Sequence, residues 1–230
     1  MSSKYRFIRN IDISAPILRV EDNEMINQVK NVFRLKPGDK IALCDGQGRE
    51  TIAEIKSFFK NGVELATSEI YNIPLPEKQT VLYLSLLKKD NFELVIQKAT
   101  ECGATEIVPL ITERTVKLGL NIERARKIAL EAAEQSGRGT VPEISEPVKF
   151  IDATVTASKG MNIFCDISGQ PITEVLPKNR DVSLWIGPEG GWTEEELRVA
   201  EKHGFIPASL GQNTLRAETA AIVAVYLAAN

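Results

Sequence analysis

The chain has 230 residues, 43% hydrophobic and 26% charged, with a formal net charge of −3. That length suits one large domain or two ordinary ones, and the balance reads as soluble and globular. One histidine, His203, and three scattered cysteines, Cys44, Cys102 and Cys165, leave no metal quartet and no disulfide framework, so neither is expected and a reducing, cytoplasmic setting is.

The first fourteen residues lack an apolar core of signal-peptide length, and the longest apolar tract, Thr219–Ala229, is too short to span a bilayer. The net charge argues against nucleic acid, but its distribution does not. Residues 1–40 carry eight Lys/Arg (Lys4, Arg6, Arg9, Arg19, Lys30, Arg34, Lys36, Lys40) against five acids, a local balance of +3.

In chain order, Tyr5–Ile8 and Pro16–Val20 read as short strands. Met25, Ile26, Val29, Val32 and Phe33 keep helical spacing between Asp22 and Arg34, with Asp22 or Asn23 as the cap. Lys40–Cys44, Thr51–Ser57 and Val63–Thr67 follow as strands, the first two joined through Asp45-Gly46-Gln47-Gly48. The Pro-marked stretch Ile73–Lys78 is the best boundary, dividing the chain into domains 1–72 and 73–230.

Beyond it strands and helices alternate: strand Val81–Leu87, a helix capped by Asp90 and closed by Gly103, strand Ile107–Ile111, helix Ile122–Gln135, then strands Met161–Cys165 and Val182–Ile186. This alternation predicts a parallel sheet covered by helices on both faces. After Val182–Ile186, Gly187-Pro188-Glu189-Gly190-Gly191 makes a non-helical loop, and Thr193 with Glu196 forms a capping box for a helix that Gly204 stops. Phe205–Leu210 is a strand, Gly211–Thr214 a second loop, and Leu215 opens the final helix. Two such loops leaving one edge of a parallel sheet form a candidate ligand site, where bare main chain can read a flat ligand. Neither is a Walker loop or a dinucleotide fingerprint.

GPEGGW at 187–192 with SLGQNTLRAETAA at 209–221 resembles the RsmE family of ribosomal RNA small subunit methyltransferases, in the SPOUT superfamily. The likeness extends to FRLKPGDKI at 33–41, LVIQKATECGATEIVPLITERTVK at 94–117 and KIALEAAEQSGRGTVPEI at 127–144, and so covers nearly the whole chain. The resemblance implies an α/β fold, a SPOUT-type parallel sheet with a C-terminal trefoil knot, preceded by a small PUA-like β-barrel that binds RNA. It implies S-adenosylmethionine as cofactor, methylation of N3 of a uridine in small-subunit ribosomal RNA or the 30S subunit, and a homodimer. Two rivals stay open on the residues alone: a non-catalytic RNA-binding or ribosome-assembly protein, and a nucleotide-binding α/β enzyme using the same loops.

By the resemblance, the cofactor candidates are Ile186, Gly187, Pro188, Glu189, Gly190, Gly191, Ser209, Leu210, Gly211, Leu215, Arg216, Glu218 and Thr219. Methyl transfer to an imide nitrogen needs orientation and a cation near the developing charge, not a covalent nucleophile. Arg138 and Arg216 are the candidates for that cation. Arg216 opposes the helix dipole at its position, whereas Glu218 suits it, so a structural role explains the acid as well as a catalytic one. Arg6, Arg9, Arg34, Lys36, Lys88, Lys89 and Arg138 are candidate RNA contacts. Trp185 and Trp192 read as packing groups, with base stacking open to Trp192 if exposed. Asn27-Gln28 stands where many family members carry a His-His pair, which predicts altered RNA contacts there.

Overall fold

The computed structural model describes residues 5–116, 119–157 and 160–230, the side chain of Lys89 excepted. The chain divides into two compact units, one running to Leu75 with Ala133–Thr140 added, the other made of Pro76–Ala132 and Val141–Asn230.

The first unit holds β1 (Arg6–Ile8), β2 (Ile17–Val20), α1 (Asn23–Asn27), β3 (Lys40–Cys44), β4 (Arg49–Phe59) and β5 (Gly62–Asn72). Its five-stranded sheet has the order β1-β3-β4-β5-β2, with β1 parallel to β3 and the other pairings antiparallel. Alternate residues turn inward: Ile41 and Leu43, Ala53 and Ile55, Val63 and Leu65 all join one core. Met25 and Val29 close it from above.

Asp22 caps α1, its Oδ1 accepting from the amides of Glu24 and Met25. The predicted helix to Arg34 instead changes to π winding over Gln28–Val32. Met25, Val29 and Phe33 recur every four residues, more than the about 3.6 of an α-helix, and the wider turn keeps all three on the core. Arg34, at φ 56°, then reverses the chain.

The segment 133–140 completes this unit, although the sequence reading places it in the second domain. The Ile8 amide donates to Glu134 Oε1 at 2.9 Å, Arg6 Nη2 donates to the Arg138 carbonyl at 3.0 Å, and Cys44 Sγ reaches the Gly139 carbonyl at 3.5 Å. A Cβ on Gly139 would lie 3.3 Å from both Gly48 and Ile73, so the backbones meet closely there.

The second unit contains β6 (Thr80–Ser85), α2 (Lys89–Cys102), β7 (Glu106–Ile111), α3 (Ile122–Ser136, its last turn in the first unit), β8 (Glu143–Ile144), β9 (Val148–Lys149), α4 (Phe150–Thr156), β10 (Met161–Pro171), α5 (Ile172–Val175), β11 (Val182–Ile186), α6 (Glu194–Lys202), β12 (Ile206–Ser209) and α7 (Ala217–Ala229). The sheet order is β12-β10-β11-β6-β7-β8 with β9 also on β7, and every pairing is parallel. The α/β alternation predicted this sheet. It did not predict β8, β9, α4 or α5, which are short and lean on tertiary contacts.

The two faces of the sheet differ. Leu82, Leu84, Leu184 and Ile186 pack on Val95, Ile96 and Ala99 of α2 and on Ala221, Ala224 and Val225 of α7. The opposite face is aromatic: Tyr83 stacks on Trp185 at 3.9 Å between ring centres, with Phe150, Phe164 and Phe205 around them. Losing one such ring costs about 3–5 kcal/mol, so the strands carrying the loops below are firmly held.

Candidate functional site

The carboxyl ends of β11 and β12, together with the middle of β10, line a cavity of about 700 Å³ within the second unit. β12 lies beyond β10, so the chain must cross that strand between β11 and β12, and the loops that follow β11 and β12 both open onto the cavity.

The first loop begins where β11 stops at Ile186. Gly187 is required there because a Cβ would sit 2.9 Å from the Trp192 ring. Gly191, at φ 69°, closes a turn by donating its amide to the Pro188 carbonyl at 2.8 Å. The loop is also braced from the turn after β7. Arg114 Nη1 donates to the carbonyls of Gly190 (2.6 Å) and Trp192 (3.2 Å). Glu196, in the capping box the sequence predicts, accepts from the amides of both Glu113 (3.0 Å) and Thr193 (2.8 Å). Neither brace is visible from sequence spacing, since Arg114 and Gly190 are 76 positions apart.

The second loop follows β12. Ser209 Oγ donates to the Gly211 carbonyl at 2.8 Å, and the Gly211 amide returns a bond to Ser209 Oγ at 3.2 Å; Gly211 stands at φ 138°. The helix begins later than Leu215: Arg216 is the N-cap of α7, exposed and without a side-chain capping bond. The third wall comes from β10. Cys165 and Gln170 both pair with Ala208, which throws residues 166–169 out as an excursion and brings Cys165, Asp166 and Ile167 to the cavity. Burial pushes the Cys165 thiol up to about 12, which favours the protonated thiol near neutral pH.

Of the cofactor candidates, Ile186, Gly187, Pro188, Glu189, Gly191, Ser209, Leu210, Gly211, Leu215, Arg216 and Glu218 line the cavity. Gly190 and Thr219 do not: the Gly190 carbonyl is turned to Arg114, and Thr219 lies on the exposed side of α7. Lys88 lines it too, as the N-cap of α2, a position the sequence reading gave to Asp90. Asn91, Asp166, Asn213 and Thr214 are wall residues that sequence reasoning missed, although Asn213 and Thr214 stand inside the quoted motif. Trp192 is buried against Phe150 and Phe164 and donates Nε1 to the Cys165 carbonyl at 3.2 Å, so it is not free to stack on a base. His203 is the C-cap of α6, its ring nitrogen 2.9 Å from the Val199 carbonyl.

Glu218 is 9% exposed, and its Oε2 is sealed from solvent without a hydrogen-bond partner. Glu218 lines the cavity with this oxygen shielded behind the wall, and an orphaned carboxylate there is a charge that a cationic ligand can answer.

Apart from Lys89, the remaining candidates lie in the first unit. Arg6 and Arg9 are not free for RNA: Arg6 pairs with Glu50 at 2.6 Å, and Arg9 with Asp22 at 2.5 Å and Glu134 at 2.7 Å. Desolvation makes an unpaired buried arginine costly, and these carboxylates offset part of that cost, although Arg6 Nε has no hydrogen-bond partner of its own. Arg138 is half-buried, burial lowering its pKa, and it lines no part of the cavity. Arg34 and Lys36 are exposed. The side chain of Lys89 lies outside the described residues.

Comparison with known proteins agrees with this geometry. Residues 74–229 match the model of the RNA methyltransferase domain and residues 29–65 that of the RNA methyltransferase PUA domain. The chain is 32% identical to the ribosomal RNA small subunit methyltransferase E of Rickettsia conorii over 90% of its own length and 87% of the relative's. It is 33% identical to that of Bacillus subtilis, over 92% and 89%. The crystal structure of the Neisseria gonorrhoeae ribosomal RNA small subunit methyltransferase E bound to S-adenosyl methionine superposes with a TM-score of 0.87 at 28% identity, covering 96% of this chain and 94% of that one. With its cavity built from the two loops and both family models matched, the chain belongs to the RNA methyltransferase family, among relatives named ribosomal RNA small subunit methyltransferase E.

Proposed function

We propose that this protein transfers a methyl group from S-adenosylmethionine to N3 of a uridine in small-subunit ribosomal RNA, in the cytoplasm and as a homodimer. In this reading the PUA-like first domain holds RNA through exposed cations such as Arg34 and Lys36, and the second domain, trefoil-knotted at its carboxyl end, carries the chemistry. The observation that carries the proposal is the cavity whose wall is the pair of motifs 187–192 and 209–218. Its volume suits one cofactor-sized molecule, its lips are main chain and glycine, and its orphaned Glu218 oxygen fits a cationic ligand.

The cofactor supplies an electrophilic methyl on a sulfonium sulfur. The chain has to hold the acceptor nitrogen in line with it and keep water out. Ile186, Leu210 and Leu215 would offer apolar contact to an adenine, and the loop amides and carbonyls would read its edge. Arg114 and Glu196 keep the first loop fixed before anything binds. As the imide proton leaves, negative charge grows on the base, and the exposed guanidinium of Arg216 at the cavity rim stabilises it more than the neutral ground state.

The test is methyl transfer from labelled S-adenosylmethionine to small ribosomal subunits lacking the modification, followed by nucleoside mass spectrometry. The expected product is 3-methyluridine. A different methylated nucleoside would overturn the target assignment, and absence of cofactor binding would overturn the reading as a whole.

A further inference from the structure

Glu218 occupies the second position of α7, after Arg216 and Ala217, where a negative charge suits the helix dipole. A purely structural acid at that place would bond the free amides of the first turn. Its Oε2 bonds none of them, nor any other group, and is closed to water. Other acids reach the cavity under different terms: Glu189 is exposed, and Asp166 is held by the amide and hydroxyl of Ser168. Glu218 is therefore the wall acid whose charge nothing in the described chain answers. The same stretch of wall carries the apolar Leu215, Ala217 and Ala220, and Arg216, the cation nearest in sequence, is exposed and makes no ion pair with it.

Which cation completes it follows from donor chemistry. An ammonium brings three N–H donors and needs several acceptors, whereas a sulfonium brings charge and no donors. One shielded carboxylate oxygen beside apolar side chains suits the second. Building on the cofactor reading above, we propose that Glu218 recognises the positive charge of the sulfonium, and so distinguishes S-adenosylmethionine from its demethylated product. In transfer the C–S bond breaks with its electron pair returning to sulfur, while the base nitrogen's pair forms the new N–C bond and its proton passes to solvent. The product is a neutral thioether. Glu218 then faces no charge, and the spent cofactor loses an attraction that the fresh one enjoys.

Calorimetric titration tests this without turnover. Three ligands are compared on wild type and Glu218→Gln: S-adenosylmethionine, S-adenosylhomocysteine, and the analogue in which a protonated amine replaces the methyl sulfonium. All three share the adenosine, the α-ammonium and the carboxylate. In the variant the two molecules charged at the transfer centre should weaken about tenfold or more while the homocysteine form changes less than about twofold. Equal weakening of all three, or of none, overturns the inference and leaves the cofactor reading standing. Failure of wild type to bind any of them overturns both. A thermal melt of the ligand-free proteins monitors folding. If Glu218→Gln does not fold, Glu218→Asp carries the test: it keeps the charge but withdraws it by one methylene, and should again weaken the two charged ligands more than the neutral one.

Discussion

The Arg9 guanidinium in the first unit and Glu218 in the second are both largely shielded from water, yet their surroundings are opposite. Arg9 is surrounded by answers: Asp22 and Glu134 on its guanidinium and the Ile8 carbonyl as well. Glu218 Oε2 has none. A buried charge with its partners present belongs to the architecture, and one without them points to something outside the chain. The same contrast separates the remaining cations. Arg6 is fixed inside the barrel unit, whereas Lys88 and Arg216 stand exposed at the cavity rim.

The sharpest way to break this comparison is Arg9→Ala, which leaves Glu134 and Asp22 shielded without their cation. It should cost about 3–5 kcal/mol of stability, read as a shift in urea midpoint, and a loss under about 1 kcal/mol would remove Arg9 from the structural class. Arg216→Ala should do the reverse. Turnover falls about a hundredfold while cofactor affinity stays within about threefold and the melting point is unmoved. Parallel loss of affinity and turnover would assign Arg216 to cofactor binding alone.

Gly187→Ala sharpens the cavity side. The new Cβ meets the Trp192 ring at 2.9 Å, and Trp192 is packed too tightly to yield, so about 1–3 kcal/mol of strain enters the loop and cofactor binding weakens correspondingly. Unchanged binding would show that the loop adapts.

The smallest effect is spectroscopic. Partial desolvation of its hydroxyl, then the hydrogen bond to Glu50, pushes the Tyr71 phenol from its ordinary value near 10 up to about 12. Its raised value means that the protonated form is favoured in the folded unit, so this contribution is intact below about pH 10 and lost as pH rises through 12. Ultraviolet titration should find Tyr71 ionising late, and Glu50→Gln should bring it earlier.

What sequence revealed follows from how local each feature is. Val182–Ile186 and Lys40–Cys44 are strands with the bounds their apolar runs suggest, and the Thr193–Glu196 capping box needs only four residues to be recognised. The two glycine loops were legible as wall material for the same reason. The partners of Arg6 and Arg9 were not, because Glu134 and the Arg138 carbonyl lie more than a hundred positions away. The excursion at 166–169 escaped because it depends on Ala208 of β12 pairing with both Cys165 and Gln170 of β10, and the brace by Arg114 because two distant loops must first be brought together. Charge counting placed eight cations in the first forty residues, but it had no means of telling which were already occupied.

The strap formed by residues 133–140 also sets an order of events at birth. Glu134 supplies partners to Ile8 and Arg9, so the amino-terminal barrel cannot finish until that turn has emerged from the ribosome, some sixty residues after its last strand ends at Asn72. During that interval the barrel is a nascent body with Arg9 lacking one of its two counter-ions, and translation speed between the two points governs how long it waits.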